Sequence, residues 1–106
     1  MFVQEISGDN LSAFEIADQP VLLEFWSPGC GFCKMIAPAL EDLAERYLGR
    51  VWIAKANVEN NSESATRFKV EKLPTLLMIK DGMEVDRLEG GARWEVLNRF
   101  IGRYAE

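Results

Sequence analysis

The sequence contains no histidine, which removes the commonest metal ligand and the usual general base near neutral pH. Any proton transfer in that range falls to a perturbed carboxylate, lysine or cysteine. Cysteine is scarce as well. Cys30 and Cys33 are the only two, so a four-ligand zinc site within one chain lacks half its donors. A metal shared by two chains is the minor alternative; otherwise no metal site is expected. Basic clusters are missing too: 17 acidic against 12 basic side chains leave a net charge of -5, which argues against nucleic acid or an anionic membrane as a partner. No apolar run approaches the roughly 18 residues of a membrane span. Met1-Phe2-Val3-Gln4-Glu5 has neither the charged start nor the apolar stretch of a signal peptide. The expectation is a cytoplasmic protein without a membrane anchor.

What is present describes an ordinary folded domain. The 106 residues are 48% hydrophobic and 27% charged, enough for one core and one domain over 1–106. Phe2 to Ile6 reads as a short strand. Gly8-Asp9-Asn10 reads as a turn, with Asp9 or Asn10 as N-cap of a short helix carrying Leu11, Phe14 and Ile16. Val21 to Trp26 is apolar except for Glu24, the pattern of a strand buried on both faces. Beyond Cys33, Ile36, Leu40, Leu43 and Tyr47 recur at helical spacing, with Ala37, Ala44 and Leu48 beside them, and the run ends at Gly49. Pro38 inside it removes one backbone donor and is expected to kink the helix. Val51 to Val58 is a further strand, Asn60 to Phe68 a capped short helix, and Thr75 to Ile79 a third strong strand. Asp81-Gly82 signals a hairpin into Met83 to Glu89, where Arg87 and Leu88 break the alternation as at a bulge or an edge. Gly90-Gly91 ends that strand, and Trp94, Leu97, Ile101 and Tyr104 mark a closing helix. Met78 and Met83 are expected to pack inside, whereas Met35 is the methionine placed for exposure. The order βαβαβαββα calls for an α/β fold: a mixed five-stranded sheet flanked by four helices.

The chemistry centres on Glu24 to Lys34, E-F-W-S-P-G-C-G-F-C-K. Two thiols at this spacing can close one small ring at the start of a helix, where the backbone favours a thiolate. In a reducing compartment such a pair is catalytic or metal-binding rather than a staple, and the missing ligands favour a dithiol–disulfide redox centre. Cys30, first in the motif, is the candidate nucleophile, and Cys33, one turn inside the helix, the candidate resolving thiol. Glu24 is the only charge in the strand leading to them. Burial raises a carboxyl's pKa and suits Glu24 to exchange a proton with Cys33; an edge position or a structural pairing with Lys55 is the bland alternative.

A Cys-x-x-Cys beside a βαβ pattern, together with Phe25-Trp26, Cys30-Gly31-Phe32-Cys33-Lys34, Pro38, Lys55, Asn57, Leu73-Pro74-Thr75, Asp81-Gly82 and Gly90, resembles the thioredoxin family from about residue 9 to residue 105. The resemblance implies a thioredoxin fold and protein disulfide exchange without a bound cofactor, the redox group being a Cys30–Cys33 disulfide. It implies Lys55 as the neighbour that tunes Glu24, and Pro74 as a cis-proline facing the cysteines. The Leu73 backbone would then bind an extended substrate, with Trp26, Gly29, Gly31, Phe32 and Gly90 as the surrounding surface. The implied partners are protein disulfides and a thioredoxin reductase or similar donor, met by a monomer. Three positions depart from the family: Gly29 replaces a tryptophan, Phe32 a proline and Glu24 an aspartate. They bear on potential and partner choice, and Phe32 is expected to make the pair more oxidising. An interaction module that docks on a specialised partner is the competing function, and a disulfide isomerase or oxidase is the same chemistry at another potential.

Overall fold

Over residues 2–105, which the computed structural model describes, the chain runs β1 (Gln4–Ile6), α1 (Ser12–Glu15), β2 (Val21–Trp26), α2 (Gly31–Arg46), β3 (Trp52–Asn57), α3 (Ser62–Arg67), β4 (Thr75–Lys80), β5 (Met83–Glu89) and α4 (Trp94–Gly102). The strands form one sheet in the order β1-β3-β2-β4-β5. The β1–β3 and β2–β3 pairs are parallel; β2–β4 and β4–β5 are antiparallel. The expected mixed five-stranded sheet between helices is the observed one.

Alternation along β2 organises the interior. Leu22 joins Ile36, Leu40 and Leu43 of α2 and Leu97 and Ile101 of α4 in one core. Val21, Leu23 and Phe25 point the other way, into a second core with Phe14 and Ala56. Successive strand side chains take opposite faces, so Glu24 shares the face of Leu22 and lies beneath α2. The α2 residues that cover it recur at helical spacing, and each fully buried leucine or isoleucine contributes about 1.5–3 kcal/mol by leaving water. Both faces are thus sealed, as the apolar run predicts.

The differences from expectation arise where a side chain finds a distant partner. Neither Asp9 nor Asn10 caps α1, whose N-cap is Leu11. Asn10 Oδ1 accepts the Ser12 hydroxyl at 3.0 Å, and the Asp9 carboxylate reaches across to accept the Ser64 N–H of α3 at 2.8 Å. Asn61, the N-cap of α3, makes no cap bond with its side chain, because that side chain is already occupied. Fully buried, it accepts the Asp9 N–H at 2.9 Å and donates to the Ile6 and Asn57 carbonyls at 3.2 and 2.9 Å.

Three apolar residues expected inside are exposed: Ile16, Leu48 and Met83. Ile16 follows Phe14 by two residues, which on a helix is the opposite side. Leu48 comes after the C-cap Tyr47, where helical spacing has lapsed. Met83 opens β5 at the sheet edge. The irregularity in β5 lies at Val85 rather than at Arg87 and Leu88. Met78 pairs with Asp86 and Ile79 with Glu84, leaving Val85 as the extra residue of a bulge. Beyond it Leu88 regains the α2–α4 core. Asp81 and Gly82 turn the hairpin with φ of 53° and 77°, as a tight Asp-Gly turn requires.

Asn61→Leu is expected to lower stability by about 2 kcal/mol in urea unfolding, because it removes the side-chain partner of the Asp9 N–H and of the Ile6 carbonyl and one of the two donors to the Asn57 carbonyl.

Candidate active site

The chain leaves β2 at Trp26, turns through Ser27-Pro28-Gly29 and enters α2 with Cys30 as N-cap. The helix starts earlier than the spacing of apolar residues implies, taking in Gly31 and Phe32 and running unbroken past Pro38. Cys30 is half-buried with an extended backbone (φ -89°, ψ 110°), and its sulfur accepts the Cys33 N–H at 3.1 Å. Cys33 is only 4% exposed. The two are joined as a disulfide with Cα atoms 5.3 Å apart. One sulfur therefore sits at the helix mouth with a backbone donor, and the other lies one step inside.

Glu24 is 3% exposed, and its Oε2 has no hydrogen-bond partner among the described residues. Its carboxyl is pushed up from the ordinary 4.5 to about 7, chiefly because burial disfavours the charged form; Lys55 opposes the rise and Glu5 adds to it. Glu24 and Cys33 line the same cleft of about 200 Å³, together with Trp26, Ala37 and Lys55. Lys55 stands beside Glu24 in the β2–β3 register, yet its ammonium pairs with Glu5 Oε1 at 3.8 Å. The structural pairing of Glu24 with Lys55 is thus not the one formed. Trp26 is half-buried, its indole N–H donating to Glu5 Oε2 at 3.4 Å.

The Leu73–Pro74 peptide is cis. Thr75 pairs with Phe25, so Pro74 lies at the end of β2 from which the cysteine loop departs. Pro74 is buried and its carbonyl accepts the Gly90 N–H at 2.8 Å, which brings Gly90 to the same surface. Gly90 has φ 85° and open space where a Cβ would stand, so its backbone conformation is what calls for glycine. Leu73 has its side chain against the second core. Gly29 and Gly31 are exposed, with no neighbouring atom within 4 Å of an added Cβ.

Phe32 is 59% exposed and Met35 72%. Phe32 lies on Gly91, where an added Cβ would stand 3.1 Å from the ring. The two residues edge an apolar cleft of about 310 Å³ that continues to Ile36, Ala39, Ala92 and Trp94. Gly91, Trp94 and Glu5 escaped the reading of the sequence as site residues. The Gly90-Gly91 doublet was the available signal for Gly91, since strand termination needs only one glycine. Glu5, a charge between Val3 and Ile6 in a short strand, carried no comparable mark.

Among the described residues no group of three or more His, Cys, Asp or Glu could hold a metal ion, and no helix is long and apolar enough to cross a membrane. The thioredoxin family model matches residues 3–103. The chain belongs to the thioredoxin family. It is 44% identical over 88 residues to a thioredoxin of Haemophilus influenzae, covering 83% of this chain and 82% of that one. A thioredoxin of Chlamydia pneumoniae is 41% identical over 103 residues, covering 97% of this chain and 99% of the relative. Thioredoxin 1 of a Nostoc species is 33% identical over 88 residues, covering 83% and 82%. The fold is the thioredoxin fold, and the protein is a thiol–disulfide oxidoreductase whose redox group is intrinsic, the Cys30–Cys33 pair.

The elevated carboxyl has a consequence for stability. The native state holds the Glu24 proton up to about pH 7, whereas an unfolded glutamate loses it near 4.5. The native state binds more protons in that window, so this contribution to stability is lost as pH rises through it. In the oxidised protein, Glu24→Gln should remove that dependence. The stability of the wild type relative to the variant should fall by roughly 3 kcal/mol between acid and alkaline ends of the window, measured by denaturant unfolding at each pH.

Proposed function

We propose that this protein is a reductant of protein disulfides, acting as a single-domain monomer in the cytoplasm, and that Cys30 and Cys33 divide the work by their placement. The observation that carries the reading is the asymmetry of the two sulfurs. Cys30 meets solvent at a helix N-terminus that stabilises a thiolate, and Cys33 is buried in the cleft it shares with Glu24.

In the reduced protein the Cys30 thiolate attacks one sulfur of a client disulfide. A mixed disulfide forms and one client thiolate leaves. Cys33 then gives its proton to the Glu24 carboxylate and attacks Cys30 Sγ, and the second client thiolate leaves. Two electrons have passed to the client and the Cys30–Cys33 disulfide has closed. Lys55 tunes Glu24 from the neighbouring strand. An external donor of the thioredoxin reductase type reopens the disulfide, so no bound cofactor is needed. The client segment runs along Leu73 and Pro74 as an added strand, bounded by Trp26, Gly29, Gly31, Phe32 and Gly90. A docking module without redox work has no use for a buried carboxyl that lacks a hydrogen-bond partner, a group costly to retain, and this favours the reductant reading.

Phe32 supplies a backbone N–H in the first helical turn that a proline would lack, which favours the thiolate and makes the reduced pair easier to form. Its exposed ring also adds apolar surface beside Cys30, a basis for partner choice.

Cys33→Ser is expected to accumulate client proteins covalently held at Cys30, while the wild type with a thioredoxin reductase reduces insulin-type disulfides. Trapping by Cys30→Ser instead would reverse the two roles, and failure in the reduction assay would leave the docking module. Equilibration against glutathione should give a potential above the value of about -270 mV that is familiar for thioredoxin, a reference figure rather than a finding of this structure. Phe32→Pro should lower it; an equal potential in the two proteins would remove Phe32 as its cause.

A further inference from the structure

Three charged side chains stand in one row across the parallel half of the sheet. Glu24 on β2 is opposite Lys55 on β3, and Lys55 is opposite Glu5 on β1. Strand alternation sends all three to the face covered by α2. Lys55 therefore has a carboxyl on each side, one enclosed and one at the surface. Among the described residues it pairs with the outer one, Nζ lying 3.8 Å from Glu5 Oε1. Trp26 holds this arrangement from above. Its indole N–H donates to the other oxygen of Glu5 at 3.4 Å, and the Lys55 ammonium lies 4.9 Å from its ring centroid.

The remaining groups that face Glu24 leave the choice to this row. From α2 come Cys33 and Lys34, which share its inner cleft, and Glu41, which lines a second cleft with Lys55. The Glu41 carboxylate is engaged by the Phe2 and Val3 N–H groups, at 2.7 Å for Phe2. From β4 the neighbour is the uncharged Leu76.

We propose that Glu5 is a positioning residue for the exchange reaction: by drawing the Lys55 ammonium outward to β1 and seating it on Trp26, it keeps that charge off Glu24 and sets the pH at which Glu24 gives up its proton. Lys55 and Glu5 act on the Glu24 proton in opposite directions, Lys55 favouring its release and Glu5 its retention. With Glu5 neutral, Lys55 is free to turn to the only other carboxyl in the row, and Glu24 ionises at lower pH. The bearing on catalysis rests on the reading of Glu24 as the proton partner of Cys33; the placement of Lys55 by Glu5 does not.

The test follows the Glu24 carboxyl carbon by NMR titration of the oxidised protein in the wild type, Glu5→Gln, Lys55→Met and the double variant. Glu5→Gln should move the Glu24 midpoint down by about half a pH unit or more, and Lys55→Met should move it up. In the Lys55→Met background, Glu5→Gln should shift it less than half as far, because there is no ammonium left to release. A midpoint unmoved by Glu5→Gln overturns the proposal. So does an equal shift in both backgrounds, which would make Glu5 a distant field and not a tether. The pH profile of Cys33 alkylation in the reduced protein separates the two readings. It should follow the Glu24 midpoint in Glu5→Gln and lose that inflection in Glu24→Gln. An alkylation profile that ignores a carboxyl which has moved refutes the proton relay alone.

Discussion

The active end of the molecule is built around one enclosed carboxyl. An ionised carboxylate in such a place costs several kcal/mol unless it is paired, and Glu24 has one oxygen with no hydrogen-bond partner among the described residues. The parity of β2 puts it there. The alternation that gives Leu22 to one core and Leu23 and Phe25 to the other leaves Glu24 on the α2 face. A shift of one residue in register would send it to the far side of the sheet, away from Cys33. Strand register, burial and proton affinity are thus one constraint seen at three scales.

The same dependence explains what could be read in advance. Val21 to Trp26 announced itself as a doubly buried strand because its signal is local, and α2 did so by spacing. The cysteine pair was legible for a chemical reason: few other side chains in this sequence could serve. The gaps lie where a side chain works far from its own element. Asp9 fits an N-cap for α1 by position but accepts the Ser64 N–H in the first turn of α3, since the fold brings Ser64 to it. Glu5 is unremarkable in a short strand until β1 settles beside β3 and sets it opposite Lys55. Val85 becomes a bulge only through the mismatch between β4 and β5. None of these has a periodic signature.

One residue of the cysteine motif is coupled in space to a distant loop. Phe32 and Gly91 are separated by most of the chain, yet the ring occupies the volume that a Cβ at residue 91 would need. A bulky residue between the cysteines is accommodated by a missing side chain on the loop before α4. The chain is 33% to 44% identical to the relatives named above, and its surface beside the sulfurs is shaped by this local pair. The enclosed carboxyl and this apolar surface lie apart, one beneath α2 and the other along its exposed flank.

An open sheet edge is a template for pairing with other chains and for aggregation. Here the β5 edge is blunted. The bulge at Val85 interrupts the ladder, and Glu84, Asp86, Arg87 and Glu89 load the strand with charge. Arg87 is fastened to Glu84 and Glu89 and to the Phe68 and Lys69 carbonyls, which ties the edge back to the end of α3. Pairing of a further strand along this flank of the sheet is thereby discouraged.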